Sequence, residues 1–379
     1  MNSRIFFAIL IGSIVTQFLF SSCKKNDSGA LYIPPYYIET FNQFNSGLPD
    51  SSITALAVDN ENVLWIGVED KGLVKYDGNT WEVFNKSNSM LPGNEITSIV
   101  VDQSNKIWVG TTTGLASFAN NSWEVYFSNG SYPTNVSALS IDDANNLWVA
   151  FDFSEEFNLP TSDSCFFNDS YLIMYDGNTW TQISDSILQF PAHHVTALES
   201  VPGSDRLWIG EAWDNNYRFC DGGVVAYKPD SSRILETYYD PGAYSYAVDD
   251  VTYDPNGLVW TCSYYGVPFT YVPVVNFHVY DASSFEDVSN STEALKQYLQ
   301  VSNTRTHFTF SPTTIWAFTY RLVDLWYVVP RLLYYDQAEW HTLLAGDQNA
   351  AKYDFTCLAV ANDDVLWAGT REGLLKIYK

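Results

Sequence analysis

Five histidines, five cysteines and 44 acidic side chains are the groups in this 379-residue chain that could do acid–base, nucleophilic or metal chemistry. His193 and His194 are adjacent, and neighbours in an extended chain point opposite ways, so they make a poor metal pair. His278, His307 and His341 each stand alone. The cysteines follow no zinc spacing. There is no Gly-x-Ser-x-Gly turn and no glycine-rich phosphate loop. The acids could supply a carboxylate pair for glycoside or lyase chemistry, but they are so numerous that no pair stands out. The sequence calls for no cofactor and no metal. The aromatic side chains, 16% of the chain, are more informative. Phe151, Phe153, Trp213, Tyr217, Tyr264, Tyr265, Tyr320 and Trp326 lie outside the regular strand pattern. Their flat faces suit sugar rings or the anchor residues of a protein partner. They are the candidate ligand-binding residues, although some of them should instead hold their own segments together.

The elements that must position these rings follow from a repeat. Leu64-Trp65-Ile66-Gly67, Ile107-Trp108-Val109-Gly110, Leu147-Trp148-Val149-Ala150 and Leu207-Trp208-Ile209-Gly210 are copies of one phrase. Val259-Trp260-Thr261-Cys262, Ile315-Trp316-Ala317-Phe318 and Leu366-Trp367-Ala368-Gly369 complete a set of seven. Each unit has a strand-like stretch before the phrase and two after it, as in Ile53–Asp59, Gly72–Gly78 and Trp81–Phe84. Val, Ile, Trp, Tyr and Thr fill these stretches, and Asp, Asn and Gly punctuate them. Four short strands per unit is the pattern of a β-propeller blade. The expected fold is therefore all-β, a seven-bladed propeller of four-stranded blades over residues 37–379. Only Ser291–Val301 reads as helical. The final unit stops after its third strand, while Tyr37–Asn42 matches the fourth strand of the first unit. The N-terminal strand should therefore complete the last blade and remove an exposed sheet edge. The repeated tryptophans should pack between blades, and the Asp/Asn turns should be tight hairpins.

Propeller geometry places the connections between second and third strands on one face. These connections are short in units one, two and seven. They are long in units three to six, at about 151–170, 211–223, 263–276 and 319–331. Four long loops on consecutive blades should build a wall on one side of that face, with a cleft beside it. A disulfide between Cys165 and Cys220 would tie the two longest loops together. Cys262 and Cys357 sit at strand positions and should be buried free thiols.

The N-terminus has Arg4, an apolar run from Ile5 to Phe20, then Ser21, Ser22 and Cys23. The run is short of the roughly 20 residues that span a bilayer, and its layout is that of a secretory signal. Ser21-Ser22-Cys23 resembles the bacterial lipobox, which implies a signal over 1–22, lipidation of Cys23 and membrane attachment through that lipid. Residues 23–36 then form a tether, whose Lys24-Lys25-Asn26-Asp27 resembles the surface-export signals of Bacteroidetes lipoproteins. A net charge of −25 makes nucleic acid a poor partner.

The phrase Leu64-Trp65-Ile66-Gly67, followed by Gly72-Leu73 and Tyr76-Asp77-Gly78-Asn79-Thr80-Trp81, resembles the two-component regulator propeller repeat. That resemblance implies kinship with the periplasmic sensors of hybrid histidine kinases, here in a stand-alone form without kinase. The functional expectation is a monomeric, non-catalytic lipoprotein of the outer membrane, facing the surface or the periplasm. It would hold a glycan or an envelope protein over blades three to six. The alternatives are a scaffold or accessory sensor subunit of an envelope complex, and a hydrolase or lyase that uses loop carboxylates.

Overall fold

Each copy of the tryptophan phrase forms the second strand of an antiparallel sheet, and seven such sheets follow one another along the chain. The computed structural model describes residues 36–128, 134–151, 172–183, 195–204, 206–211, 224–228, 233–237, 246–265, 274–282, 288–289, 292–301, 306–324, 327–337, 339–345 and 353–379. Blade one comprises Ile53–Val58, Leu64–Val68, Gly72–Tyr76 and Trp81–Phe84. Blade two comprises Ile96–Val101, Ile107–Thr111, Gly114–Ala119 and Ser122–Ser128. Blade three has Val136–Ile141, Leu147–Phe151, Leu172–Tyr175 and Trp180–Ile183. Blade four has Val195–Ser200, Leu207–Glu211, Val224–Lys228 and Arg233–Thr237. Blade five has Tyr246–Tyr253, Leu258–Tyr265 and Val274–Asp281. Blade six has Thr306–Phe310, Ile315–Asp324, Tyr327–Tyr335 and Trp340–Ala345. Blade seven has Phe355–Val360, Leu366–Thr370 and Gly373–Tyr378, completed by Tyr37–Phe41 from the N-terminus. The first strands of successive blades touch one another in a closed ring. The chain is thus an all-β, seven-bladed propeller, and Tyr37–Lys379 holds together as one unit.

Closure follows the expected pairing. Tyr37 lies opposite Tyr378 and Phe41 opposite Leu374. The Tyr378 hydroxyl donates to Glu39 Oε1 at 2.6 Å. Blade five departs from the four-strand plan. Three strands are present among its described residues, and the helix Glu293–Val301 follows them. Ala294, Leu295 and Tyr298 on one side of that helix are buried with Phe277 and Phe308. The Trp340 indole N–H donates to the Ala294 carbonyl at 2.8 Å. The residues Glu293-Ala294-Leu295-Lys296-Gln297 are strong helix formers with an acid in the first turn, which explains why they leave the strand pattern.

The core sits between blades. All seven phrase tryptophans are buried, none more than 6% exposed. Hiding about 200 Å² of ring surface at about 25 cal/mol per Å² contributes about 5 kcal/mol per blade. Four of them are also tied by an aspartate six residues earlier. The indole N–H of Trp65 donates to Asp59 Oδ2 at 3.0 Å, Trp108 to Asp102 at 3.2 Å, Trp148 to Asp142 at 2.9 Å and Trp260 to Asp254 at 3.3 Å. The other carboxylate oxygen accepts two turn amides, Glu61 and Val63 in the first case. The acidic turns are therefore hairpins in which the carboxylate fixes both the turn and the ring behind it. Blades four, six and seven have Val201, Ser311 and Ala361 at the aspartate's place.

The phrase glycine has a packing reason. A Cβ on Gly67 would meet Thr54 Oγ1 at 2.7 Å and Ile96 Cβ at 3.0 Å. One on Gly110 would meet Val136 Cγ1 at 2.5 Å, and one on Gly210 would meet Val248 Cγ1 at 2.8 Å. The bare backbone seats the first β-branched residue of the next blade's inner strand.

Candidate binding face and inner ring

In blades one, two and seven the second strand stops three residues after its tryptophan and turns back. Val68 pairs with Gly72, Thr111 with Gly114 and Thr370 with Gly373. The residue at that level is buried in every blade: Val68, Thr111, Phe151, Glu211, Ser263, Thr319 and Thr370. It forms the last layer of the core. Blades five and six continue past it. In blade five the ladder runs on through Tyr264–Val275 to Tyr265–Val274. In blade six it runs on from Tyr320–Pro330 to Asp324–Tyr327. Five further residues at about 3.3 Å each raise the blade-six hairpin about 16 Å above the level where blade one turns.

This changes the expected picture at four candidate residues. Tyr264, Tyr265 and Tyr320 are not in loops; they belong to strands that project from the face. The cause is local. Ser263-Tyr264-Tyr265 and Thr319-Tyr320-Arg321-Leu322-Val323 are rich in residues that favour the pleated strand, and Val275 and Val274 face the first pair of tyrosines while Val329 and Val328 face Arg321 and Leu322. Phe151 is 2% exposed and packs edge-on against Phe127, with ring centroids 5.6 Å apart. It is a core residue at the top layer, so its ring is closed to a ligand. Phe153, Trp213, Tyr217 and Trp326 lie outside the described residues, as do Cys23 and the proposed pair Cys165 and Cys220.

The low side of the same face is built by two matching connections. Asn42, Asn45 and Ser46 cap one turn, and Asn85, Asn88 and Ser89 cap the other. Leu48 and Leu91 are their buried anchors. Each carries an exposed apolar side chain, Phe44 at 88% and Met90 at 59%.

The inner ring holds a feature that sequence reading missed. Glu199, in the first strand of blade four, lies near Asp250 in the first strand of blade five. Burial, reinforced by the Asp250 charge, pushes the Glu199 carboxyl up to about 8. Asp250 Oδ2 accepts the Phe308 amide of blade six at 2.8 Å. Tyr253 is raised by burial and by the charges of Glu199 and Asp143. Alignment of the repeats carried the signal. Glu199 occupies the place of Ala57, Val100, Ser140, Thr252 and Ala359 in other blades.

The remaining reactive groups are absorbed by packing. His307 stacks on Phe318 at 4.5 Å, and His341 Nε2 lies 2.8 Å from Asp336 Oδ2. His193 and His194 lie outside the described residues. Cys262 is buried, and Cys357 is a half-buried free thiol that burial pushes up to about 12. Among the described residues no three His, Cys, Asp or Glu side chains gather as metal ligands would. Among them, too, no helix is long and apolar enough to cross a membrane.

Comparison with known proteins agrees with this architecture. The two-component regulator propeller model matches residues 47–70 and 90–113, the stretches that lead into blades one and two and cover their tryptophan phrases. No curated protein matches by sequence. The extracellular domain of the hybrid two-component system BT3049 from B. thetaiotaomicron superposes with a TM-score of 0.62 at 17% identity, over 90% of this chain and 42% of that one. The corresponding domain of BT4673 from the same organism gives 0.59 at 15% identity, over 90% and 40%. A streptogramin B lyase gives 0.56 at 11% identity, over 90% and 97%. The chain spans about two fifths of the two sensor domains, and at these identities the likeness is one of fold. By its architecture this chain is a seven-bladed propeller, and two of its repeats match the two-component regulator propeller model.

Proposed function

We propose that this protein is a non-catalytic binding protein of the bacterial cell envelope, anchored through a lipid on Cys23, that holds a glycan against the raised side of its propeller face. One observation carries the reading. The hairpins of blades five and six rise past the level at which blades one, two and seven turn back, and they carry Tyr264, Tyr265 and Tyr320. A raised strand hairpin beside a low rim makes a shelf against which a chain of sugar rings can lie. The described acids support a binding role over a catalytic one. Asp59, Asp102, Asp142 and Asp254 accept turn amides and indoles, and Asp250 accepts the Phe308 amide. The likeness to extracellular sensor domains fits an exported protein.

The test is a thermal melt of the soluble chain from Ser28 onward against a panel of neutral and acidic polysaccharides. A ligand that binds only the native state raises the melting temperature. A rise with one class of sugar that disappears in Tyr265→Ala, Tyr320→Ala or Trp326→Ala supports glycan capture. No response to any sugar overturns it. Phe44 and Met90 favour a second reading, a docking site for an envelope protein, because exposed Phe and Met are typical of protein interfaces. Under that reading Phe44→Ser weakens co-purification of the partner and leaves sugar responses absent.

A further inference from the structure

Two connections on the low side of the face are copies of one turn. In the first, the Asn42 amide donates to Asn45 Oδ1 at 2.7 Å and the Phe44 amide to Asn42 Oδ1 at 2.8 Å. Asn45 Nδ2 donates to the Thr40 carbonyl at 2.9 Å, and Ser46 Oγ to the Asn42 carbonyl at 2.7 Å. In the second, Asn85, Ser87, Asn88 and Ser89 repeat these bonds at 2.8, 2.8, 2.9 and 2.6 Å. Both turns lead to a buried leucine, Leu48 or Leu91. They differ where Phe44 takes the place of Ser87. Serine closes the turn as well as phenylalanine does, so the turn does not need the ring. Yet the Phe44 ring is 88% exposed on a backbone fixed by its caps. An apolar ring left in water forfeits the gain of burial, and a fixed, open aromatic face is what a sugar ring stacks against.

Phe44 stands on the blade next to the raised blade-six hairpin. Its strand, Tyr37–Phe41, completes blade seven, and Phe41 lies opposite Leu374, beside the turn where Thr370 pairs with Gly373. Blade seven adjoins blade six through Phe318, two residues before Tyr320, which stacks on Phe355 with ring centroids 5.9 Å apart. The Thr370–Gly373 turn adds fixed polar groups to this rim. Arg371 Nε lies 3.0 Å from Asp354 Oδ2, and the Asp354 amide donates to Glu372 Oε2 at 2.8 Å. A Cβ on Gly373 would meet the Phe41 carbonyl and lie 3.4 Å from Asn42 Cβ, so this turn packs against the one that carries Phe44.

We propose that the rim of blade seven is a second sugar subsite, in which a pyranose ring stacks on Phe44 while its hydroxyls bond to the Arg371–Asp354 pair. The subsite rests on the glycan reading of the raised hairpins. A glycan that leaves the blade-six hairpin toward the low side crosses blade seven first. One ring contact is worth about a tenfold change in affinity at most. That is too little to hold a sugar by itself, so the rim acts only on chains that also touch the hairpin.

The experiment is isothermal titration calorimetry of the soluble chain from Ser28 onward with cello-, xylo-, manno- and chito-oligosaccharides, each as trimer and hexamer. The wild type should bind the hexamer of one series more tightly than its trimer. Phe44→Ser copies the twin turn and should melt like wild type. It should lower affinity for that hexamer by about three- to tenfold and leave the trimer unchanged. Arg371→Gln should act in the same direction. An unchanged hexamer affinity in Phe44→Ser overturns the subsite and leaves the glycan reading standing. An equal loss for trimer and hexamer also overturns it, because Phe44 would then belong to the first subsite. Failure of the wild type to bind any of these sugars removes the glycan reading, and the subsite with it.

Discussion

The backbone N–H of Asn362 in the last blade donates to the side-chain oxygen of Asn62 in the first, at 3.0 Å. Asn62 has a φ of 61°, Asn105 and Asn145 have 63°, and each accepts from the blade before it. Asparagine suits the position twice, because it tolerates the left-handed backbone and offers an acceptor. Asn62→Ala should cost about 1–2 kcal/mol, combining left-handed strain with a lost hydrogen bond. Asn62→Gly should cost less, since only the bond is lost. Urea unfolding of the two variants checks the order.

Asp59 holds the Glu61 and Val63 amides and the Trp65 indole at once. Asp59→Ala leaves buried donors without an acceptor and should cost about 3 kcal/mol. The matching change at Ala361, Ala361→Gly, removes no such contact and should cost much less. Chemical denaturation followed by tryptophan fluorescence separates them.

Removal of residues 1–42 deletes the strand that pairs with Gly373–Tyr378. Blade seven is then left with an open edge, and the exposed ladder invites association between chains. The shortened protein should lose its single cooperative melt and elute as larger species in size-exclusion chromatography.

Cys262 is buried, and the Cys357 thiol is pushed up to about 12 by burial. Neither should react with a thiol reagent at pH 8 until the protein is unfolded. If Cys165 and Cys220 are bridged, the soluble chain from Ser28 should show no reactive thiol while folded and two after unfolding without reductant. Peptide mass mapping identifies the bridge.

Much of this fold was legible because each blade repeats one phrase under one constraint. The tryptophan must fill the gap between blades, and in five of the seven copies the residue two places later, Gly67, Gly110, Ala150, Gly210 or Gly369, is Gly or Ala, small enough for the next inner strand. The N-terminal strand was legible because Tyr37–Asn42 copies Trp81–Asn85. The binding face was less so. Tyr264, Tyr265 and Tyr320 read as loop residues because they follow the end of the phrase, yet the ladder runs on through them, opposite Val275, Val274 and Pro330. Phe151 read as exposed because a long connection follows it, although its position is the buried top layer in every blade. Glu199 and Asp250 meet only through the ring, 51 positions apart, so no local pattern joins them.

The most direct test of the binding face removes the raised hairpin alone. A variant that replaces residues 320–330 with a two-residue turn returns blade six to the height of blade two, where Thr111 pairs with Gly114. Its melting temperature is compared with wild type, with and without the oligosaccharide that stabilises wild type most. The predicted result is a protein that melts near the wild-type temperature when empty and gains nothing from the sugar. An undiminished gain with the hairpin gone would contradict the account.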